Sequence, residues 1–243
     1  MRFKSFLQNT DKEVVKPFYF IESNTQGRVL VIADIHGHNK TLKALLKKVQ
    51  LTKQDYLFLL GDYIDRGDDD VSVIQTIMDL VNDDYLIFPL KGNHEEKIIQ
   101  RHSLVSDLTT PVIENPEEIT DEVGRIHHQF VRFFSSLPYY YEMDDFYLVH
   151  AGFDFSKVAP FKDYDSMLWI REIANPTPKT IVRGHVITEL EAIRTQVIAR
   201  HSIINLDNGI YLGQTVGNIP RDIGNLCCLD LKSFELITQE NIG

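Results

Sequence analysis

Residues 29–36, VLVIADIH, constrain this chain more than any other stretch. The apolar, largely β-branched run up to the Asp34 carboxylate predicts a strand buried on both faces. It closes in Asp34-Ile35-His36-Gly37. Side chains at i and i+2 of a strand share a face, so a carboxylate and an imidazole leave it together. A hard oxygen donor and a borderline nitrogen donor aimed at one point suit a divalent transition metal. Taken alone, the same residues also read as a helix cap at Asp34 beside an incidental His36.

The pattern then repeats. Asn39 is positioned as an N-cap, and Leu42, Leu45, Leu46 and Val49 follow at helical spacing. Residues 56–60 form a second buried strand ending in Gly61-Asp62, and Val71, Ile74, Ile77, Met78 and Val81 mark a second helix, capped by Asp68, Asp69 or Asp70. Residues 85–90 form a third strand, where Pro89 predicts a bulge or irregular pairing, followed by the loop Lys91-Gly92-Asn93-His94-Glu95. Strands alternating with helices imply right-handed crossovers and a parallel arrangement.

Residues 1–27 predict an edge strand or an entry segment. Residues 101–136 are polar, then aromatic through Ile126, Phe130, Phe133 and Phe134, and read as a helical insertion over or beside the site, within one domain spanning 1–243. A hairpin is expected over 139–149, ending in His150-Ala151-Gly152, and a short strand over 180–182, ending in Gly184-His185. The last quarter predicts strands near 192–199, 202–206, 226–231 and 234–238 with no helix, so an α/β half precedes a mostly antiparallel one. The expected architecture is two sheets facing each other with helices outside.

Composition narrows the partners. The 25 Lys and Arg against 35 Asp and Glu give a net charge of −10, and an acidic surface argues against nucleic acid. Two divalent cations would bring −10 + 4 = −6, focused at one place. The adjacent Cys227 and Cys228 read as small core residues rather than a disulfide. With no leader and no apolar window of membrane length, a cytoplasmic protein without a membrane partner is expected.

Five strands thus end in a metal- or phosphate-competent group, usually beside a glycine: Asp34 with His36, Asp62, Asn93 with His94, His150, and His185. In open α/β sheets, sites assemble beyond the carboxyl ends of the strands, so the five endings can converge on one mouth.

Together with the Gly61-Asp62-Tyr63-Ile64-Asp65-Arg66-Gly67 run and the Trp169-Ile170-Arg171-Glu172 segment, these endings resemble the signature set of calcineurin-like metallophosphoesterases. Within it they are similar to the phosphoprotein phosphatases of bacteria and phages. That resemblance implies an α/β metallophosphoesterase sandwich, two mixed sheets flanked by helices in four αββα layers. It also implies two metals, most commonly manganese, with iron or zinc as alternatives. Asp34, His36 and Asp62 would hold the first; Asp62, Asn93, His150 and His185 the second, with Asp62 bridging. Such a pair acidifies a bridging water for direct, in-line attack on phosphorus. His94, whose neighbour Asn93 points elsewhere, would be the general acid, oriented by Asp65. Arg66 and Arg171 would clamp the phosphate alongside Asn93; alone, Arg66 is a loop charge and Arg171 a partner for Glu172.

His38, His102, His127, His128 and His201 match no motif position and read as surface or core residues. Departures from the family pattern are Arg183 where an apolar residue is usual, Val186-Ile187 for Thr-Pro, Asp68-Asp69-Asp70 for Pro and Ser, and Asn205-Leu206-Asp207-Asn208-Gly209 near an Asp-Thr-Gly. The expected activity is hydrolysis of phosphoserine or phosphothreonine in protein substrates. The rivals are symmetrical diadenosine-tetraphosphate hydrolysis and a non-catalytic phosphoprotein-binding scaffold.

Overall fold

Among the described residues, ten short strands build two five-stranded sheets. A computed structural model describes residues 16–22, 26–103, 118–121, 125–174, 177–214 and 222–243. The strands are β1 (Phe18–Phe20), β2 (Val29–Ile32), β3 (Tyr56–Leu59), β4 (Leu86–Pro89), β5 (Tyr140–Glu142), β6 (Phe146–Val149), β7 (Thr180–Arg183), β8 (Ile203–Asn205), β9 (Asn225–Asp230) and β10 (Glu235–Glu240). The α-helices are α1 (Asn39–Lys48), α2 (Asp70–Asn82), α3 (Asn93–Ser103), α4 (His128–Ser135), α5 (Tyr164–Trp169) and α6 (Leu190–Ile198).

The first sheet runs β10-β9-β2-β3-β4 and the second β1-β5-β6-β7-β8. β2, β3 and β4 are parallel and β9 closes onto β2 antiparallel. Both sheets are therefore mixed, and the layers agree with the expected metallophosphoesterase architecture. All four residues of β2 are buried, and they alternate between two cores. Leu30 and Ile32 pack with Leu42 and Leu45 of α1 and Val73, Ile74 and Ile77 of α2. Val29 and Val31 point between the sheets, against Phe58, Leu148, Val182 and Ile204. Each such side chain contributes about 1.5–3 kcal/mol by leaving water. Cys228 joins the first core and Cys227 the second, both unpaired, as alternation on β9 demands. The outer face of the second sheet is covered by Tyr140, Tyr147, Phe153 and Met167.

Several local expectations change. Residues 190–198 form helix α6 rather than a strand, because Ile193 and Val197 lie four apart and bury together. α6 then makes β7 and β8 a parallel pair, so the later half is not mostly antiparallel. Pro89 causes no bulge at its pairing with Leu59; β4 is an edge strand, so its missing N–H interrupts no ladder. Asn39 is the first residue of α1, not its cap, and accepts a hydrogen bond from Thr76 Oγ1 at 2.8 Å. No Asp68–Asp70 side chain caps α2; the Asp70 carboxylate accepts the Asp65 N–H instead. Ile126 lies outside α4, bridged to Thr120. Most of the expected insertion, 104–117 and 122–124, lies outside the described residues, as do 1–15 and 23–25 of the entry segment.

Candidate active site

The polar endings meet at one edge of the sandwich. β2 stops at Ile32, so Asp34 and His36 are not strand neighbours sharing a face. They sit in a loop with left-handed backbone, φ 45° and 47°, and the Ile35 and His36 N–H groups both donate to Asp62 O at 2.9 Å. Asp62, Asp65, Arg66 and His185 are left-handed too. A non-glycine residue in that region costs on the order of 1–3 kcal/mol, which the surrounding core must offset. Two glycines leave room for it. A Cβ on Gly92 would stand 2.2 Å from Asp62 Oδ1, and one on Gly184 1.9 Å from Asp34 Oδ1.

Asp34, His36, Asp62, Asn93, His94 and His185 line one cavity of about 260 Å³, together with Arg66 and Arg171. His150, fully buried, lies behind it, with Nε2 2.8 Å from Asn93 Oδ1 and 3.5 Å from Asp62 Oδ1. Asp65 stands at the rim, half exposed, with Oδ2 2.5 Å from His94 Nδ1. All the residues singled out in the sequence are thus brought together. Among the described residues, two groups place three donor atoms within 4.8 Å of one another: His36, Asp62 and His94, and Asp62, His150 and His185. Asp62 belongs to both. The first group holds His94 where the resemblance implied Asp34, which stands beside it with Oδ1 unpartnered.

The donor set fits divalent cations. Asp34 Oδ1 and His185 Nε2 are buried with no hydrogen-bond partner, so both atoms are free to take a ligand. His36 Nδ1 and His150 Nδ1 donate to the Ile64 and Leu60 carbonyls at 3.0 and 2.8 Å. With the proton held there, each Nε2 offers a lone pair, the tautomer a metal requires. Burial lowers the pKa of both imidazoles, and takes His185 down to about 4, keeping them neutral. Burial would raise Asp62, but the imidazoles of His150, His36 and His94 outweigh it and hold the carboxyl below its ordinary value. Mixed carboxylate, amide-oxygen and imidazole donors suit manganese, iron or zinc better than calcium.

His94 differs. Burial disfavours its charge, yet the bond to Asp65 and the Asp62 charge prevail, so its pKa rises. Nδ1 is committed to Asp65, and Nε2, 3.8 Å from Asp62 Oδ2, is the nitrogen left for chemistry.

Sequence reasoning assigned no role to four residues here. Asp207, 3 % exposed, lines the cavity beside Asp34. Burial pushes its pKa up to about 6. It follows β8 in an Asp-Asn-Gly turn, a sixth polar strand ending that the alternation pattern could have flagged. Glu95, fully buried, accepts the backbone N–H groups of Asp62, Tyr63 and Gly92 at 2.8–2.9 Å, fixing the loop that carries Asp62. Tyr211 lies under the Arg66 guanidinium, 5.2 Å from its ring centroid, and edge-on to His36. Lys97 stands 4.9 Å over Trp169 at the mouth. Among the other histidines, His38 and His127 are buried away from the donor groups, as core residues.

The chain is similar to known proteins. The family model for calcineurin-like phosphoesterases matches residues 27–203. An asymmetrical bis(5'-nucleosyl)-tetraphosphatase of Anoxybacillus flavithermus is 29% identical over 138 residues, covering 50% of this chain and 56% of the relative. A symmetrical one from Buchnera aphidicola is 36% identical over 80 residues, covering 32% of this chain and 28% of the relative. The chain therefore spans about half the length, or less, of these curated relatives. A solved protein serine/threonine phosphatase from Saccharomyces cerevisiae superposes with a TM-score of 0.62 at 16% identity, over 99% of this chain and 87% of that one, a likeness of fold. Among the described residues no helix is long and apolar enough to cross a membrane. The twin donor groups and the match over most of its length make this chain a member of the calcineurin-like phosphoesterase family.

Proposed function

We propose that the protein hydrolyses phosphate monoesters, with phosphoserine and phosphothreonine side chains of proteins as substrates. The observation that carries this reading is the His94–Asp65 pair at the rim of the two donor groups, with Arg66 and Arg171 lining the same cavity.

In this reading Asp34, His36 and Asp62 would hold one divalent cation, and Asp62, Asn93, His150 and His185 the other, manganese being the first to test. When bound, such a pair supplies charge neutralisation at the phosphoryl oxygens and a more acidic water. The protein's own residues do the rest. Arg66 and Arg171 grip the phosphoryl oxygens, where a planar fork matches two oxygens at once. Tyr211 supports the Arg66 guanidinium from one face. His94 Nε2 holds the proton that passes to the ester oxygen as the P–O bond breaks and water's oxygen bonds to phosphorus. Asp65 keeps the imidazole protonated and aimed, and the transfer is worth about 10²–10⁴ in rate. A serine or threonine alkoxide needs that proton; a nucleotide leaving group, itself a stable anion, needs it much less.

A second reading keeps the chemistry and changes the substrate to a dinucleoside tetraphosphate. The names of the curated relatives favour it, and Trp169 and Tyr211 offer rings against which a base could stack. The two separate in one assay: kcat/KM with Mn²⁺ on a phosphoserine/phosphothreonine peptide and on diadenosine tetraphosphate side by side. The peptide is expected to win. A clear win for the dinucleotide moves the assignment to the second reading. Stoichiometric metal with no turnover on either leaves a binding scaffold.

A further inference from the structure

A guanidinium is costly to bury without a carboxylate. Arg183, the last residue of β7, is 5% exposed, and among the described residues its hydrogen-bond partners are all neutral. Its Nε donates to Asn205 Oδ1 at 2.5 Å. One terminal nitrogen donates to Ala151 O at 2.9 Å and Ile170 O at 3.4 Å, and the other to Arg171 O at 2.9 Å. Burial, and then the charge of Arg171, pull its pKa down to about 10.

The partners define a purpose. Ile170 leaves the end of α5 in extended backbone, and residues 171–174 belong to no helix or strand. Arg171 lines the cavity, yet neither a ladder nor a helix fixes its main chain. Two of the four Arg183 bonds reach the carbonyls of residues 170 and 171. A third reaches the carbonyl just after His150, and Asn205 in turn holds Gln196 Oε1 through its own N–H at 2.8 Å. Arg183 therefore ties a segment without regular structure to the ordered elements β7, β8 and α6. Only a planar fork with several donors can span those oxygens; a lysine ammonium reaches one or two.

We propose that Arg183 is a positioning residue for phosphate recognition, acting through Arg171: its buried fork holds the 170–171 backbone so that the Arg171 guanidinium meets the substrate's phosphoryl oxygens. The inference rests on the reading of Arg171 as a phosphate clamp.

The test is a double-mutant cycle on the full chain with Mn²⁺, using an aryl phosphate as substrate and inorganic phosphate as inhibitor. Arg183→Met and Arg171→Ala are compared singly and together, with Arg183→Lys as the conservative variant. Arg183→Met is expected to raise KM and the phosphate inhibition constant by about 10–100-fold, as loss of a supporting partner does, with a smaller change in kcat. Bound metal, measured by elemental analysis, stays at the wild-type level. In the Arg171→Ala background the same substitution should add little, and Arg183→Lys should recover part of the loss. If Arg183→Met does not fold, Arg183→Lys carries the cycle. Full additivity, an unchanged inhibition constant, or loss of metal in the folded variants would overturn the proposal. If Arg171→Ala itself leaves phosphate inhibition unchanged, the clamp reading fails and the proposal with it. If Arg171 matters and Arg183 does not, only the positioning role fails.

Discussion

Asp55 and Asp34 stand at opposite ends of the same parallel strands, the first just before β3 and the second two residues after β2. Their burial is alike, at 4% and 2% exposure. Asp55 is saturated: it accepts from Arg28 N, Nε and Nη2 at 3.1, 3.1 and 2.7 Å, and from Thr52 N and Oγ1, both at 2.9 Å. Burial works against its charge, but the Arg28 and Thr52 bonds prevail and take its pKa to about 2. Asp34 receives one N–H, from His185 at 2.9 Å, and its Oδ1 has no partner. Burial, Asp207 and Asp62 push its pKa well up. One carboxylate is satisfied by the fold; the other keeps an oxygen that no hydrogen-bond donor among the described residues reaches. Polar groups at the amino end of the sheet serve stability, and those at the carboxyl end are kept at its expense.

The sharpest way to break this contrast is at the functional end. His94→Asn keeps a polar side chain but removes the Nε2 proton donor. On a serine or alkyl phosphate monoester kcat should fall about 10²–10⁴-fold, while a highly activated aryl phosphate, whose leaving oxygen needs no proton, should lose far less. Equal losses on both substrates would remove the general-acid role. Melting temperature should change little, since His94 is at the cavity wall rather than in either apolar core.

The structural end should respond in the opposite sense. Asp55→Asn leaves Arg28 without its anion and strips the charge from five hydrogen bonds. Arg28 is 36% exposed, so solvent softens the loss, and about 1–3 kcal/mol of stability should go by denaturant unfolding. Catalysis should survive. The pH dependence follows from linkage. A folded pKa near 2 lies below the ordinary value of about 3.9, so the contribution is fully present above the unfolded pKa and is lost as pH falls through 2. The variant should show a flatter acid limb below about pH 4. An acid limb as steep as the wild type's would assign the effect elsewhere.

How much of this was legible in the chain differs between the same two ends. The strands and helices of the first sheet were, because Val29 to Ile32 and the repeats that follow state their burial locally. The convergence of Asp34, His36, Asp62, Asn93, His94 and His185 on one cavity was also legible, since each follows closely on the end of a strand. What failed was geometry made by distant contacts. Asp34 and His36 share a cavity through left-handed turns fastened to Asp62, which no alternation rule describes. α6 was misread because Ile193 and Val197 are β-branched and the helix is short. Arg183 looked like a mere departure from pattern because its partners lie 12 to 32 residues away. Asp207 carried the right signal, a carboxylate before glycine at a strand end, in a region read too coarsely.

The smallest and most diagnostic effect is expected at Asp34 itself. In the metal-free protein, Asp34→Asn removes a buried carboxylate that faces Asp207 and Asp62 with one oxygen unpartnered. The amide can donate to Asp207 and needs no counter-charge. Stability in chelator should therefore be equal or higher, by about 0.5–1 kcal/mol, as when a functional site's strain is relieved. Adding Mn²⁺ should reverse the order. A ligand that binds only the folded state stabilises it by about 2.7 kcal/mol at a hundred times its dissociation constant, and the variant, with a weakened site, should gain less. Paired thermal melts with chelator and with metal read both signs at once. A variant less stable in chelator, or one that gains as much from metal as the wild type, would mean that Asp34 is held by the fold as Asp55 is, and the asymmetry between the two ends of the sheet would be gone.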